Sequence, residues 1–157
     1  MSISLNLVIY QRSGDDLTEE NARTETCVEI PPPLLSHIEK RYHLQKEVVY
    51  YDSAKDDYFE IDTFAKEDVR NIINELRVIF KNLIDHEHSL LNYNSDAPPA
   101  HPEFTEISGL EILSGHNDID PISAAIARLR ILIRVIDVFT DMQMKHINDP
   151  GSVLKLG

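Results

Sequence analysis

The first residues of the chain alternate. Ile3, Leu5, Leu7 and Ile9 are apolar, while Ser2, Ser4 and Asn6 between them are polar. Side chains of an extended segment point to opposite faces in turn, so this period of two predicts a half-buried strand over 3–11. Stretches rich in β-branched and aromatic residues predict further strands over 24–30, 47–52 and 57–63. The last two flank Ser53-Ala54-Lys55-Asp56, which reads as a hairpin with a four-residue loop. Between the strands, Pro31, Pro32 and Pro33 lead into Leu34, Leu35, Ile38 and Tyr42, which recur at helical spacing and predict a short helix over 34–44. Proline suits a helix start because its missing N–H would be unpaired there anyway.

Beyond residue 62 the period changes. At about 100° per residue, Val69, Ile72, Ile73, Leu76, Ile79, Phe80, Leu83 and Ile84 share one face with Leu90 and Leu91, which predicts a long core helix over 65–91. Pro98, Pro99 and Pro102 then break the pattern, and 92–119 reads as an acidic loop region with a short strand or turn over 107–113. Asp120 as N-cap and Pro121 at the first helical position open a second long helix over 120–147. It should stop before Asn148-Asp149-Pro150-Gly151, leaving a loose tail. The elements predict an α+β fold in one domain, 1–157. A small, mainly antiparallel sheet from the N-terminal half packs against two long C-terminal helices.

The last helix is apolar on two sides. Ile122, Ala125, Ile126, Leu129, Ile133 and Ile136 form one stripe; Ile131, Val135, Val138 and Met142 form another, nearly opposite. A helix wet on one side does not need both. Either it runs through the centre of the domain, or Ile131, Val135, Val138 and Met142 form a face for a second copy of the chain. The central position is the favoured expectation.

Charge adds a map to this outline. The 157 residues carry 27 acidic and 15 basic side chains, a net charge of -12. Each phosphate contact needs a cation, so direct nucleic-acid binding is not expected and basic partners are favoured. Residues 1–62 hold 13 acidic and six basic side chains, residues 97–119 hold four acidic and none basic, and residues 120–157 hold four and five. The acidity therefore belongs to the β-rich half and the Pro-rich loop. The opening segment lacks the basic start of an export signal, no apolar run reaches the roughly 18 residues of a membrane helix, and a cytoplasmic location is expected. Cys27 stands alone, so no intramolecular disulfide is possible, and in a strand it reads as a small core residue.

The search for catalytic chemistry yields no constellation. His86 and His88 are two residues apart, on opposite sides of a helix, where they cannot share a metal. Glu87 marks the turn at which that helix leaves the core. His116-Asn117-Asp118-Ile119-Asp120 lacks the glycine and glutamate of a calcium loop. The five glycines make no phosphate-cradling loop and no nucleophile elbow. No enzyme, metal or cofactor is therefore expected. What remains is a hairpin dense in tyrosine and carboxylate: Tyr51, Asp52, Asp56, Asp57, Tyr58 and Glu60, joined by Glu103 and Glu106 of the loop. Carboxylates steer a cationic partner and tyrosines provide desolvated anchors. The expectation is a small acidic protein that neutralises a basic partner, most economically a bacterial immunity protein blocking a nuclease-type toxin. A homodimeric scaffold assembling through the last helix is the alternative.

Overall fold

In the computed structural model, residues 3–91 and 121–157 are described, side chains at 87–91 and 121–122 excepted. The elements run β1 (Ile3–Ser13), β2 (Asp16–Ile30), α1 (Pro32–Glu39), β3 (Leu44–Tyr50), β4 (Tyr58–Phe64), α2 (Val69–Leu91), α3 (Pro121–Asn148) and β5 (Ser152–Leu156). Gly14, at φ 66, takes the left-handed conformation that lets β1 fold back on β2 through a two-residue turn between Ser13 and Asp16. The other strand neighbours are also antiparallel except β2 and β3, which pair in parallel. A parallel pair needs a crossover, and α1 lies within it.

The five strands close into a barrel in the order β1-β2-β3-β4-β5, which an open sheet of the N-terminal half does not describe. Two thin seams complete the ring: Leu17 and Thr18 beside Val49 and Tyr50, and Thr63 beside Lys155. The tail expected to be loose is β5, paired with β1 from Leu5 opposite Leu156 to Ile9 opposite Ser152. The expectation of two long C-terminal helices is likewise corrected. α2 lies mid-chain, and one helix, α3, is C-terminal, followed by a strand.

Bulges let β1 and β2 bend far enough to close. The register shifts between Leu7 and Val8, so the simple alternation of Ile3, Leu5, Leu7 and Ile9 ends there. Leu5 and Leu7 pack against the helices, whereas Val8 and Tyr10 join the cluster inside the barrel with Leu17, Val49, Ile61 and Val153. A second irregularity sets Glu19, Glu20, Asn21 and Ala22 of β2 against Tyr10 alone, with Asn21 at φ 63. That polar kink hides the first half of β2 from a period-two reading, which places the strand's start at 24 rather than 16.

The larger core lies where Leu5, Leu7, Val28 and Ile30 meet the three helices. Phe64 and Phe139 centre it, their rings 5.6 Å apart. Here the two stripes of α3 are sorted. Val135, Val138 and Met142 are 0–1% exposed inside this chain's own core, and Ile131 is half-buried, so they offer no face to a second copy. On the opposite stripe Ile126 and Ile133 are over 40% accessible, whereas Ala125 is buried and Leu129 and Ile136 pack against the core. Among the described residues no helix is long and apolar enough to cross a membrane.

Candidate functional site

The β3–β4 register sets Tyr50 opposite Tyr58, Val48 opposite Glu60 and Lys46 opposite Asp62. Val49 and Ile61, one step along, point into the barrel, so those six side chains share its outer surface. The strands end at Tyr50 and Tyr58, and 51–57 is a seven-residue connection rather than the four-residue loop expected. The Tyr51 N–H donates to the Asp57 carbonyl at 3.1 Å, and the Ala54 N–H donates to Asp52 Oδ1 at 2.9 Å. The second bond is a local turn that occupies the Asp52 carboxylate. Lys55 follows at φ 61 and reaches across to pair with Asp16.

The aromatic residues are arranged in two pairs. Tyr50 and Tyr58 meet edge to face with centroids 6.2 Å apart, and Tyr51 tilts against Phe59 at 5.0 Å. Such pairs hold rings in place beyond what burial alone provides. Yet Tyr51 and Tyr58 remain 54% and 61% exposed. Lys55 Nζ lies 5.8 Å from the Tyr50 centroid, and Lys155 Nζ lies 5.6 Å from that of Phe59.

The carboxylates divide into used and unused. Glu60 pairs with Lys46 at 3.0 Å, and this hydrogen bond, with Asp62 nearby, raises the Lys46 pKa. Asp16 is satisfied by Lys55, whose pKa rises for the same reason. Asp56 and Asp57 are exposed, and neither forms an ion pair among the described residues. Asp56 and Asp57 thus lie in the hairpin connection without an ion pair among the described residues, flanked by Tyr51 and Tyr58 in two separate ring pairs, while Asp52 and Glu60 are engaged. Glu103 and Glu106 lie outside the described residues, as do 107–113 and 116–120 with the Asp120 cap. The sequence places Asp16 in a separate acidic cluster and does not join it to this hairpin. Its approach depends on β2 and β3 pairing in parallel, which no local pattern signals.

A second polar cluster lies where the β1–β2 turn meets β3 and the loop before β5. Arg12, Asp15, Asp16, Glu47 and Lys66 line a cavity of about 290 Å³ there. Arg12 donates to the Gly14 and Pro150 carbonyls at 2.8 and 3.2 Å, and Lys66 donates to the Pro150 carbonyl at 3.2 Å. These bonds hold the turn that launches β5. Burial pushes the Tyr10 phenol up to about 12, helped by Glu19 and Glu47. Burial also pushes Lys66 down. The same cause lowers His146, reinforced by Lys66 and Arg12, and its buried Nδ1 has no hydrogen-bond partner.

The His146 shift predicts a pH dependence. A histidine whose folded pKa is depressed binds its proton more readily when unfolded, so protonation favours unfolding. Stability should be full above the unfolded value of about 6.5 and should fall as pH drops through it toward the lower folded value. Urea midpoints measured from pH 7.5 down to about 5.5 should therefore decline, and less steeply in His146→Gln. Equal slopes in the two proteins would remove His146 from this role.

Cys27 is corrected as well. It is exposed, at a groove of about 620 Å³ between β2 and α3 that Ile131, Arg134 and Asp141 also line. Leu5, Leu7, Val28 and Ile30 fill the core without it, and the strand's period places residue 27 on the other face from Val28. No group of three or more His, Cys, Asp or Glu that could hold a metal occurs among the described residues. Compared with models of protein families, with curated proteins and with solved structures, the chain matches none.

Proposed function

We propose that this chain is a small acidic binding protein that covers a cationic surface of a protein partner, most economically as an immunity protein blocking a nuclease-type toxin. The observation that carries this reading is the β3–β4 hairpin. Two tyrosines more than half exposed stand beside Asp56 and Asp57, carboxylates with no ion-pair partner of their own among the described residues. Exposed rings backed by Tyr50 and Phe59 are pre-organised, so little side-chain entropy is lost on docking. The unpaired carboxylates raise the rate of encounter with a basic surface, and the rings become the desolvated anchors of the complex. A nuclease fits because the surface on which it holds phosphate must be basic. Asp56 and Asp57 would then sit where backbone phosphates otherwise lie.

The test pairs this protein with the product of the reading frame immediately upstream. Tight, salt-sensitive binding that suppresses the neighbour's nuclease activity is expected. Tyr58→Ala should weaken the complex by about 30-fold, the effect of losing about 2 kcal/mol at an interface anchor. Asp56→Lys with Asp57→Lys should act mainly by slowing association and flattening its salt dependence. A neighbour that does not bind, or binding indifferent to Tyr58, Asp56 and Asp57 together, would overturn the assignment.

A further inference from the structure

The outer face of α3 combines exposed apolar residues with charges that the chain leaves unpaired. Ile126, Ile133 and Met144 are exposed along it, and Arg130, Arg134, Asp137 and Asp141 are interleaved with them, the last three at the rim where this face meets the groove against β2. At (i, i+3) spacing, Arg134 could close on Asp137 within the helix, and Asp141 could take Lys145 at (i, i+4). Neither pair forms. Lys145 instead reaches β2, donating to Glu25 at 2.9 Å, and none of the four charges of this face has an ion-pair partner among the described residues.

The spacing of these residues is self-complementary. In an antiparallel pair of α3 helices with its two-fold axis level with the gap between 135 and 136, residues equally distant from that midpoint face one another. Arg130 and Asp141 are equally distant from it, and so are Arg134 and Asp137. Ile126 and Met144 match to within one residue. A two-fold interface is isologous, so each correspondence occurs twice. We infer that the outer face of α3 is the surface through which two copies of this chain associate, antiparallel, with four Arg–Asp pairs between flanking Ile126–Met144 contacts.

The charge map agrees with a second copy as the occupant. Two chains of net charge -12 repel, and residues 120–157 are the one stretch with more basic than acidic side chains, five against four. Self-association meets least repulsion there. This surface shares no residue with the hairpin and is independent of the function proposed for it. It also differs from the stripe of Val135, Val138 and Met142, which is buried within each chain.

Sedimentation over a concentration series tests the inference on the full chain. The wild type should form a two-chain species. Arg134→Asp should weaken it by at least about tenfold, because two ion pairs are lost and two like-charge contacts replace them. Adding Asp137→Arg to Arg134→Asp restores both pairs with their signs exchanged, and should recover most of the association. Far-UV circular dichroism spectra of both variants should match the wild type, since the positions are exposed in each folded chain. A wild type that remains a single chain, as it would if another segment covered this face, overturns the inference. So does a two-chain species indifferent to Arg134→Asp, or one that the double exchange fails to restore.

Discussion

Val135→Glu is expected to unfold this protein rather than release two folded halves of a dimer. Val135 has no accessible surface and sits among Leu132, Val138 and Phe139 in the core that α3 shares with α2 and the sheet. An ionised carboxylate there has no partner and no water, a penalty of several kcal/mol even after protonation relieves part of it. A domain of this size is stable by only about 5–15 kcal/mol. Circular dichroism and urea denaturation should show no cooperative transition, or one at a much lower midpoint. Phe139→Ala removes a ring packed on Phe64 and should destabilise by about 3–5 kcal/mol, a milder probe of the same site. The control is Val78→Glu, on α2 and 59% exposed, which should change stability by no more than about 0.5 kcal/mol. A folded, fully stable Val135→Glu protein would refute the placement of α3 in the core.

Gly151→Ala should be nearly as damaging, for a reason of space. A Cβ at residue 151 would lie 2.0 Å from the Tyr10 carbonyl oxygen and 3.1 Å from its carbon. Both are backbone atoms of β1, and the Tyr10 N–H donates to the Gly151 carbonyl at 3.0 Å, so the two segments cannot part without breaking that bond. The clash falls where β5 begins its ladder with β1, next to the turn that Arg12 and Lys66 hold through Pro150. Relief requires β5 to shift, which strains its one ladder pairing with β4, at Thr63 and Lys155, and opens the barrel. A loss of about 3 kcal/mol or more is expected, together with faster amide exchange in residues 152–156. An alanine variant within about 0.5 kcal/mol of the wild type would show that β5 does not approach Tyr10 this closely.

The proposed docking surface was partly legible. Tyr51, Tyr58, Asp56 and Asp57 lie within one hairpin and its connection, which local pattern predicts without long-range information, although strand alternation places only Tyr58. The status of the other carboxylates was not legible. Asp52 is engaged by the Ala54 N–H, Glu60 by Lys46 across the hairpin, and Asp16 by Lys55, 39 residues away. Those engagements depend on turn geometry, register and a parallel seam, and each removes a charge from those available to a partner.

The sequence by itself determined the local elements: the apolar period of α2, the strands of the hairpin, the proline start of α1, and the concentration of acid in the β-rich half. These follow from periodicity and backbone stereochemistry over a few residues. Only the tertiary structure decided which stripe of α3 is core, since two similar apolar faces differ only in what the rest of the chain brings against them. It also decided that the tail is a strand, because Ser152–Leu156 gains its order from β1, 143 residues earlier where Ser152 meets Ile9 and 151 earlier where Leu156 meets Leu5. Barrel closure rests on the bulges at Leu7–Val8 and opposite Tyr10, and on seams of one or two residue pairs. Such contacts form between segments remote in sequence, where local propensity carries no signal and burial of the shared core decides the outcome.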